Sequence, residues 1–428
     1  MAYIPPHKRH TGDTDKPDPT PALLAPQFRK NLSLGSSSSS FNRKNDRDKP
    51  MGWKIKYANS VVFRWFAVGL TNDDVLPFHV SLQLVPSGNV KPKDSERLIL
   101  VNTEVEKTAE VGSTLKSPWV IIAENVLQDL LSSFLAVRNE NENNDFVKVK
   151  PVLVARIGKI MFHRTSSVNI ETGDNNALPL STLRNLKKTF YTNLPSSYLE
   201  NITTGVAQEV GLEVEDEKER YLIQLYDKEQ PDATIFCKCK VTPDGRRLEL
   251  LKPSFCDQVD QIQLAVRYAA IDIACLTKKL DLRLDLYTMT DRNITTFNDV
   301  EKHSLQDLVN SAVLDSNIKG GLRWSLGKDC SGERRYRVVG VWHTKTQYFK
   351  NSNLRLKMRS ADRYDFRTST GEFSWEVILQ LCGMFSIMKE SNVENGSLLE
   401  ALADRIKVIW NHFLHCDNYL SIDSTISS

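Results

Sequence analysis

The sequence predicts an α+β protein: mostly antiparallel sheets, with helices packed on one side, preceded by a disordered tail. Three observations support this fold class. Several short runs alternate apolar and polar residues, which is the period of a half-buried strand. Other stretches repeat apolar residues at helical spacing, and a Pro- and Ser-rich segment with few apolar residues precedes them all.

The tail comprises residues 1–52. Residues 1–50 hold seven of the 17 prolines and the serine run 36–40. They also hold nine Lys/Arg and five Asp, a charge of +4, so a total of +3 leaves the rest of the chain at −1. A segment with so little apolar surface cannot offset its conformational entropy, and we expect it to be disordered.

The next range, 53–215, is predicted as an N-terminal α+β half. Its β-branched and aromatic runs indicate strands, which we expect to be antiparallel, at 61–70, 78–85, 97–101 and 146–163. Ser117 and Pro118 resemble an N-cap and a first helical position, and a polar break follows at 139–145. Further helical regions are expected near 181–190, with Phe190 on the apolar stripe, and at 196–210 before Gly211.

Residues 216–428 are predicted as a C-terminal α+β half. The acidic run 213–219 is expected to be exposed and to mark the boundary. Strands are predicted at 220–227, 233–241, 246–252, 280–286, 336–343, 353–360 and 373–381, and helices at 301–314 and 397–415, while 262–276 fits either type. The similar order of elements suggests two related halves, although no fixed-period identity supports a duplication.

The composition excludes several classes of protein. No run of about 18 apolar residues predicts a membrane span, and no apolar N-terminal segment predicts secretion, so cytosol or nucleus is expected. The seven cysteines are irregularly spaced, which favours buried thiols over a disulfide framework. Between Gly321 and Lys328 the spacing and the following Asp329 do not fit a phosphate-binding loop.

No metal or other cofactor is predicted. Cys237 and Cys239 have no second cysteine pair at zinc-binding spacing. His412 and His415 share a helix face but would need further ligands. Packing roles are the simpler interpretation of both pairs.

The strongest physical signal is a basic stretch. Between Arg323 and Arg367 there are twelve Lys/Arg and four acids, a net charge of +8. On a strand, 354–359 would put apolar residues on the core and basic residues outward. The candidate face comprises Arg355, Lys357, Arg359, Arg363 and Arg367. Such a face can bind single-stranded RNA, bind an acidic protein, or be neutralised by acids elsewhere in the fold.

The segment 360–372 offers an alternative. Asp362 and Asp365 lie beside Arg363, and with His343 they would suit acid–base chemistry if all four met in a pocket. Otherwise they form a polar loop joined by Asp–Arg pairs. An enzyme of unrecognised type is therefore one alternative, and a structural subunit with a large apolar patch is another.

The tail contains a string built like a short linear motif: Tyr3, Ile4, Pro5, Pro6, His7 and Arg9. The two prolines fix the backbone and reduce the entropy lost on docking. The string resembles the YIPPHLR segment in the N-terminus of a DEAD-box RNA helicase subfamily, with Lys8 in place of leucine. That resemblance implies a protein partner linked to translation, but none of the helicase core motifs occurs here.

A wider resemblance covers nearly the whole chain. The strings MAYIPPHKRH, RWFAVGL, SAVLDSNIKGGLRWSLGK, VVGVWHT, LRLKMRSADRYDFRTSTGE and IWNHFLHC resemble a family of uncharacterised plant proteins. The resemblance implies one folded unit with a functional tail and a plant source, and it lends no activity, cofactor or catalytic residue. The leading hypothesis is a non-catalytic interaction protein that binds RNA or an RNA-handling complex through the tail string and the basic face. Oligomeric state stays open.

Overall fold

The structure is a computed structural model. It describes residues 56–68, 70, 76, 79–85, 97–102, 116–142, 150–163, 180–229, 233–245, 247–257, 266–289, 298–324, 335–389 and 395–416. The predicted tail, 1–52, and its string Tyr3 to Arg9 lie outside these ranges. All described helices and strands belong to one compact unit.

Within these ranges the chain is rich in strands. They are β1 (Lys56–Val68), β2 (Val80–Leu84), β3 (Arg97–Asn102), β4 (Lys150–His163), β5 (Lys187–Tyr191), β6 (Glu213–Asp227), β7 (Ala233–Val241), β8 (Leu248–Asp257), β9 (Val266–Cys275), β10 (Asp281–Met289), β11 (Ala312–Leu314), β12 (Leu322–Trp324), β13 (Tyr336–Lys350), β14 (Leu354–Asp365) and β15 (Thr370–Leu381).

Thirteen of these strands form one sheet. Its main path runs β1-β9-β10-β4-β15-β14-β13-β6-β7-β8, with β3 and β5 paired to β4 and β2 paired to β3. Strands β11 and β12 pair separately. The described pairs are antiparallel except β1 with β9, which run parallel. The antiparallel prediction for β1 is therefore wrong, because its partner lies about 200 residues later and no local pattern reports on it.

Most of the helices cover one face of this sheet. The helices are α1 (Pro118–Glu142), α2 (Leu180–Asn185), α3 (Ser196–Asn201), α4 (Ala207–Glu209), α5 (Asp299–Asn310), α6 (Met384–Lys389) and α7 (Asn395–His412), with a π-helical turn at Ile202–Val206. Leu183 of α2 packs with Phe162 and Ala274 from the other side. One core cluster joins α1 and α7 to strands β4, β9, β10, β14 and β15. A second joins α5 to β6, β7 and β13. The predicted α+β class is confirmed.

The alternating strand at 280–286 shows why the sheet has two unlike faces. Leu282, Leu284 and Leu286 are buried in the core that α1 and α7 cover. The charged residues between them point to the opposite face, as the period of a strand requires. We call that opposite side the polar face.

Helix α1 is long and apolar enough, over residues 118–139, to cross a membrane by length and composition alone. In the structure its inward side chains, including Ile122, Leu130 and Phe134, are buried in the core. A core helix passes the same test of composition. The apolar surface of α1 is therefore used against the sheet and against α7.

Two local predictions need correction. Phe190 lies in strand β5, because α2 ends at Asn185. The predicted helix 301–314 ends at Asn310, and β11 follows at once. The acidic run 213–219 is the first half of β6, and the division into two halves at 215/216 stays a prediction. Strand β4, from the first range, lies between β10 and β15 from the second.

Candidate anion-binding face

Strand β14 brings four of the five predicted basic residues to the polar face. Leu354, Leu356 and Met358 are buried in the core. Because β14 pairs without a bulge on both sides, Arg355, Lys357, Arg359 and Arg363 project to the other side. Arg367 does not join them: it follows the end of β14 and binds Asp365, with Nη2 2.6 Å from Oδ2.

The register places further cations from distant parts of the chain beside them. Ile378 of β15 pairs with Lys357 on one side and with Arg156 of β4 on the other. Arg156 in turn lies opposite Arg283 of β10. Residues directly opposite each other share a face, so Arg156 lies on the polar face near Lys357.

A fully buried carboxylate holds Arg156 and one further arginine. Arg156 Nε lies 2.7 Å from Asp285 Oδ2, and Arg267 Nε lies 3.3 Å from Asp285 Oδ1. Asp285 is 0% exposed and Arg267 8%. Charged groups with so little exposure to solvent need partners of opposite charge, and here one carboxylate pairs with two guanidinium groups.

A second buried carboxylate, Glu376 on β15, holds the arginines of β14. Its Oε2 accepts a hydrogen bond from Arg359 Nε at 3.1 Å, and its Oε1 lies 4.0 Å from Arg363 Nη2. Burial by itself would raise the pKa of Glu376, but Arg359, Arg156 and Arg363 outweigh it and hold the pKa below its usual value. Glu376 is therefore a carboxylate at neutral pH.

Lys357 has no such partner. No carboxylate of the described residues lies within ion-pair distance of its ammonium, which is 5.9 Å from the centroid of the Tyr348 ring. Burial first, and then repulsion by Arg359, lowers the pKa of Lys357 to about 8. A cation destabilised in this way gains more than most from an incoming anion.

Arg363 is also incompletely satisfied. Its Nε is buried without a hydrogen-bond partner among the described residues. Its guanidinium carbon lies 4.1 Å from the centroid of the Trp342 ring, and that of Arg359 lies 5.6 Å from the same ring. Trp342 therefore contacts two cations, and at 6% exposure its ring is not open to stacking by a base.

We call the set Arg156, Arg267, Lys357, Arg359 and Arg363 the cationic cluster. Asp285 and Glu376 face it from within, and exposed Glu372 lies opposite Arg363. Counted over the described residues alone, five cations against three carboxylates leave two positive charges in excess. The cluster can therefore bind an anion with charge-assisted hydrogen bonds, particularly a phosphate, whose oxygens suit arginine.

The enzyme alternative required four residues to meet, and they do not. His343 and Asp362 lie opposite each other on the helix-covered face. There His343 Nε2 is 2.7 Å from Glu219 Oε1, and the Asp362 carboxylate accepts a hydrogen bond from the Gly320 N–H at 2.7 Å. Arg363 projects to the polar face, on the other side of the sheet. The segment thus separates into two environments.

Several residues of the cationic cluster and its carboxylates were missed from the sequence: Arg156, Arg267, Asp285 and Glu376. Arg156, Arg267 and Glu376 are each a single charge inside an apolar run, as in VARIG or SWEVIL, whereas Asp285 belongs to the alternating strand 280–286. A lone charge in a strand with apolar neighbours on both sides was the available signal, since such a charge needs a partner. Which partner it finds depends on strand order.

The structure shows the surroundings of the cysteine pair and of His412, for which packing roles were predicted. Cys237 and Cys239 are buried, and burial raises the pKa of both thiols. His412 Nδ1 lies 3.4 Å from Glu209 Oε2. Over the described ranges, three or more His, Cys, Asp or Glu side chains nowhere group so as to hold a metal ion.

Together these features define a mixed-sheet α+β protein with a half-buried cationic cluster on its polar face. The chain belongs to the DUF7903 family, a domain of unknown function, whose model matches residues 49–413. No curated protein compared with it matches. Whether the source is a plant, as the sequence resemblance implies, stays a prediction.

Two solved structures are similar in part. The Pct1 RNA triphosphatase of S. pombe in complex with the Spt5 CTD is 10% identical, with a TM-score of 0.40, over 71% of this chain and 95% of that one. A structure of Pct1 RNA triphosphatase of S. pombe gives 7% identity and a TM-score of 0.37, over 71% and 96% of the two chains. Similarity at this level carries no argument about this chain.

Proposed function

We propose that this protein is a non-catalytic RNA-binding protein, and that the polar face holds RNA by its phosphates. The observation that carries the proposal is the excess of positive charge in the cationic cluster, with Lys357 and Arg363 incompletely paired. A half-buried cation without a partner is costly, and an anionic ligand relieves that cost.

The length of the basic row favours a chain of phosphates over a single one. Lys357 and Arg363 are six residues apart on β14, which at strand spacing is about 20 Å. Arg359 lies between them. A single phosphate group cannot contact both ends, whereas a polymer with regularly spaced phosphates can.

The aromatic residues favour recognition that ignores base identity. Trp342 is covered by Arg359 and Arg363, and the Tyr348 ring has cations near its face, Arg355 at 4.8 Å and Lys218 at 5.1 Å. Neither ring offers a free platform for a base. Contacts to phosphates position a nucleic acid but carry no sequence information.

Binding of labelled oligouridylate RNA to the full chain, measured by anisotropy across a salt series, tests this proposal. Replacing Lys357 and Arg363 with glutamine should weaken binding at least about tenfold, since a hydrogen bond to a charged group contributes about 1.5–3 kcal/mol. Each lost phosphate contact should also reduce the slope of log affinity against log salt by about 0.7.

Arg367→Gln is the matched control, because Arg367 lies in the same segment but outside the cationic cluster. It should leave both affinity and slope nearly unchanged. No RNA binding by the wild-type chain would overturn the proposal. Binding of polyglutamate in its place would identify an acidic protein as the partner.

The tail contributes a separate part of the proposal. The string Tyr3 to Arg9 would bind a protein partner, which its resemblance to the helicase tail segment and its two prolines support. Deleting residues 1–10 should remove partners recovered from cells without changing RNA affinity by the cationic cluster. Such a protein would act in the cytosol or the nucleus.

A further inference from the structure

The polar face carries more cations beyond the cationic cluster. Strands β13, β6 and β7 continue the sheet after β14, and their register is continuous over this region. Four basic residues of β6 and β7 lie on the polar face: Lys218, Arg220, Lys238 and Lys240. We call them the outer row.

The register shows that the outer row and the row on β14 share one face. Arg359 lies opposite Thr346, which lies opposite Lys218. In the next cross-strand line, Thr344 lies opposite Arg220, which lies opposite Lys240. Opposed residues project to the same side of a sheet, so the lines connect the two rows directly.

Strand β13 separates the two rows, and its polar face carries two threonines between two aromatic residues, Trp342 and Tyr348. Thr346 is buried, and Thr344 is half-buried with its hydroxyl donating to the Arg220 carbonyl at 3.3 Å. Strand β6 is two strands from β14, a separation of about 10 Å. Long basic side chains therefore stand on both sides of two small threonine side chains.

The outer row also has more cations than carboxylates. Lys218 pairs with Asp216, and Lys240 Nζ lies 2.9 Å from Glu249 Oε2. Arg220 and Lys238 form no ion pair among the described residues. Four cations against two carboxylates leave an excess of two positive charges, the same as in the cationic cluster.

We infer that the outer row is a second set of phosphate contacts, and that the bound RNA is a single strand lying between the two rows. This inference rests on the proposed function of the cationic cluster. Arg359 and Arg363 have side chains only 19% exposed. A narrow, unpaired backbone can enter between such side chains, whereas the wide surface of a duplex contacts only groups that protrude.

The experiment compares four full-length proteins: wild type, Arg220→Gln/Lys238→Gln, the conservative Arg220→Lys/Lys238→Arg, and Lys116→Gln/Lys302→Gln. Lys116 precedes α1 and Lys302 lies within α5, and both are exposed, so they match the loss of charge away from the polar face. The probes are oligouridylates of increasing length and an RNA duplex of the longest length. Thermal unfolding of each protein checks that the variants are folded.

The outer-row variant should reduce the single-strand salt slope by about 1.4, from two contacts at about 0.7 each. It should lose affinity for long oligouridylates while binding the shortest like wild type. The conservative variant and the Lys116/Lys302 variant should retain the wild-type slope, and the duplex should bind at least tenfold more weakly than the single strand.

Failure of the inference differs from failure of the proposed function. If wild type binds RNA but the outer-row variant has an unchanged slope, the second set of contacts is wrong and the cationic cluster alone binds. If the duplex binds as tightly as the single strand, the single-strand assignment is wrong. If none of the four proteins binds any of the RNA probes, the proposed function itself is wrong.

Discussion

The substitution Glu376→Gln gives the sharpest test of how the cationic cluster is held. Glu376 is buried, and it is the carboxylate within reach of both Arg359 and Arg363. The substitution keeps the size of the side chain and removes its charge. Two half-buried guanidinium groups then lose their counter-charge.

Removing one partner of a buried ion pair typically costs about 3–5 kcal/mol. The arginine side chains retain 19% exposure, which lets water screen part of the loss, so we expect about 3 kcal/mol, at the lower end. Urea unfolding followed by the fluorescence of the seven tryptophans would measure it. Glu372→Gln, an exposed position on the same strand, should change stability by no more than about 0.5 kcal/mol.

The dependence on pH gives a second check of the same pair. Because the pKa of Glu376 is lowered in the folded protein, its contribution is present above the ordinary pKa of 4.5 and is lost as the pH falls through the lowered value. The gap between wild type and variant should therefore close in acid. The variant should bind RNA more tightly although it is less stable, because it has one more uncompensated positive charge. A loss of stability below about 1 kcal/mol would refute the reasoning.

Three further predictions concern single residues. Lys357→Met should raise the free energy of unfolding by roughly 3 kcal/mol near pH 7, because the pKa of Lys357 in the folded protein, about 8, lies below the ordinary 10.5. The difference in stability between variant and wild type should shrink as the pH rises from 8 to 10.5, which a pH series of urea titrations measures. Gly321→Ala should lower stability in thermal unfolding by about 2 kcal/mol or more, since φ is +68° and a Cβ would lie 3.1 Å from the Tyr221 hydroxyl. Gly245→Ala is the control: at φ +70° and in open space, it should lower stability by only about 1 kcal/mol. Asn298→Ala should cost about 1 kcal/mol and fray the start of α5 in hydrogen exchange, because the Asn298 side chain accepts from the Glu301 N–H at 2.8 Å in a capping box.

Local patterns predicted those elements whose period is set by burial on one face. The strand at 280–286 and the row 354–359 alternate because α1 and α7 cover one side of both and charged residues line the other. The start of α1 at Pro118 followed from its N-cap pattern. In each case the deciding information lay within a few residues.

The rest depends on strand order, which no short pattern contains. The strand at 280–286 was predicted, but not that Asp285 within it is fully buried, with Arg156 and Arg267 coming to it from neighbouring strands. The candidate face was therefore only half predicted: β14 was found, and the carboxylates that organise it were not. The enzyme alternative needed His343 and Arg363 in one pocket, but they project to opposite faces of the sheet.

The parallel pairing of β1 with β9 also bears on how the chain folds as it is made. Strand β1 ends at Val68, and its partner begins only at Val266. At about 5–20 residues per second, a ribosome needs roughly 10–40 s to synthesise the interval. During that time β1, with its exposed Phe63, has no strand to pair with and is open to aggregation. A chaperone that holds nascent chains would therefore matter most for this protein before residue 275 emerges.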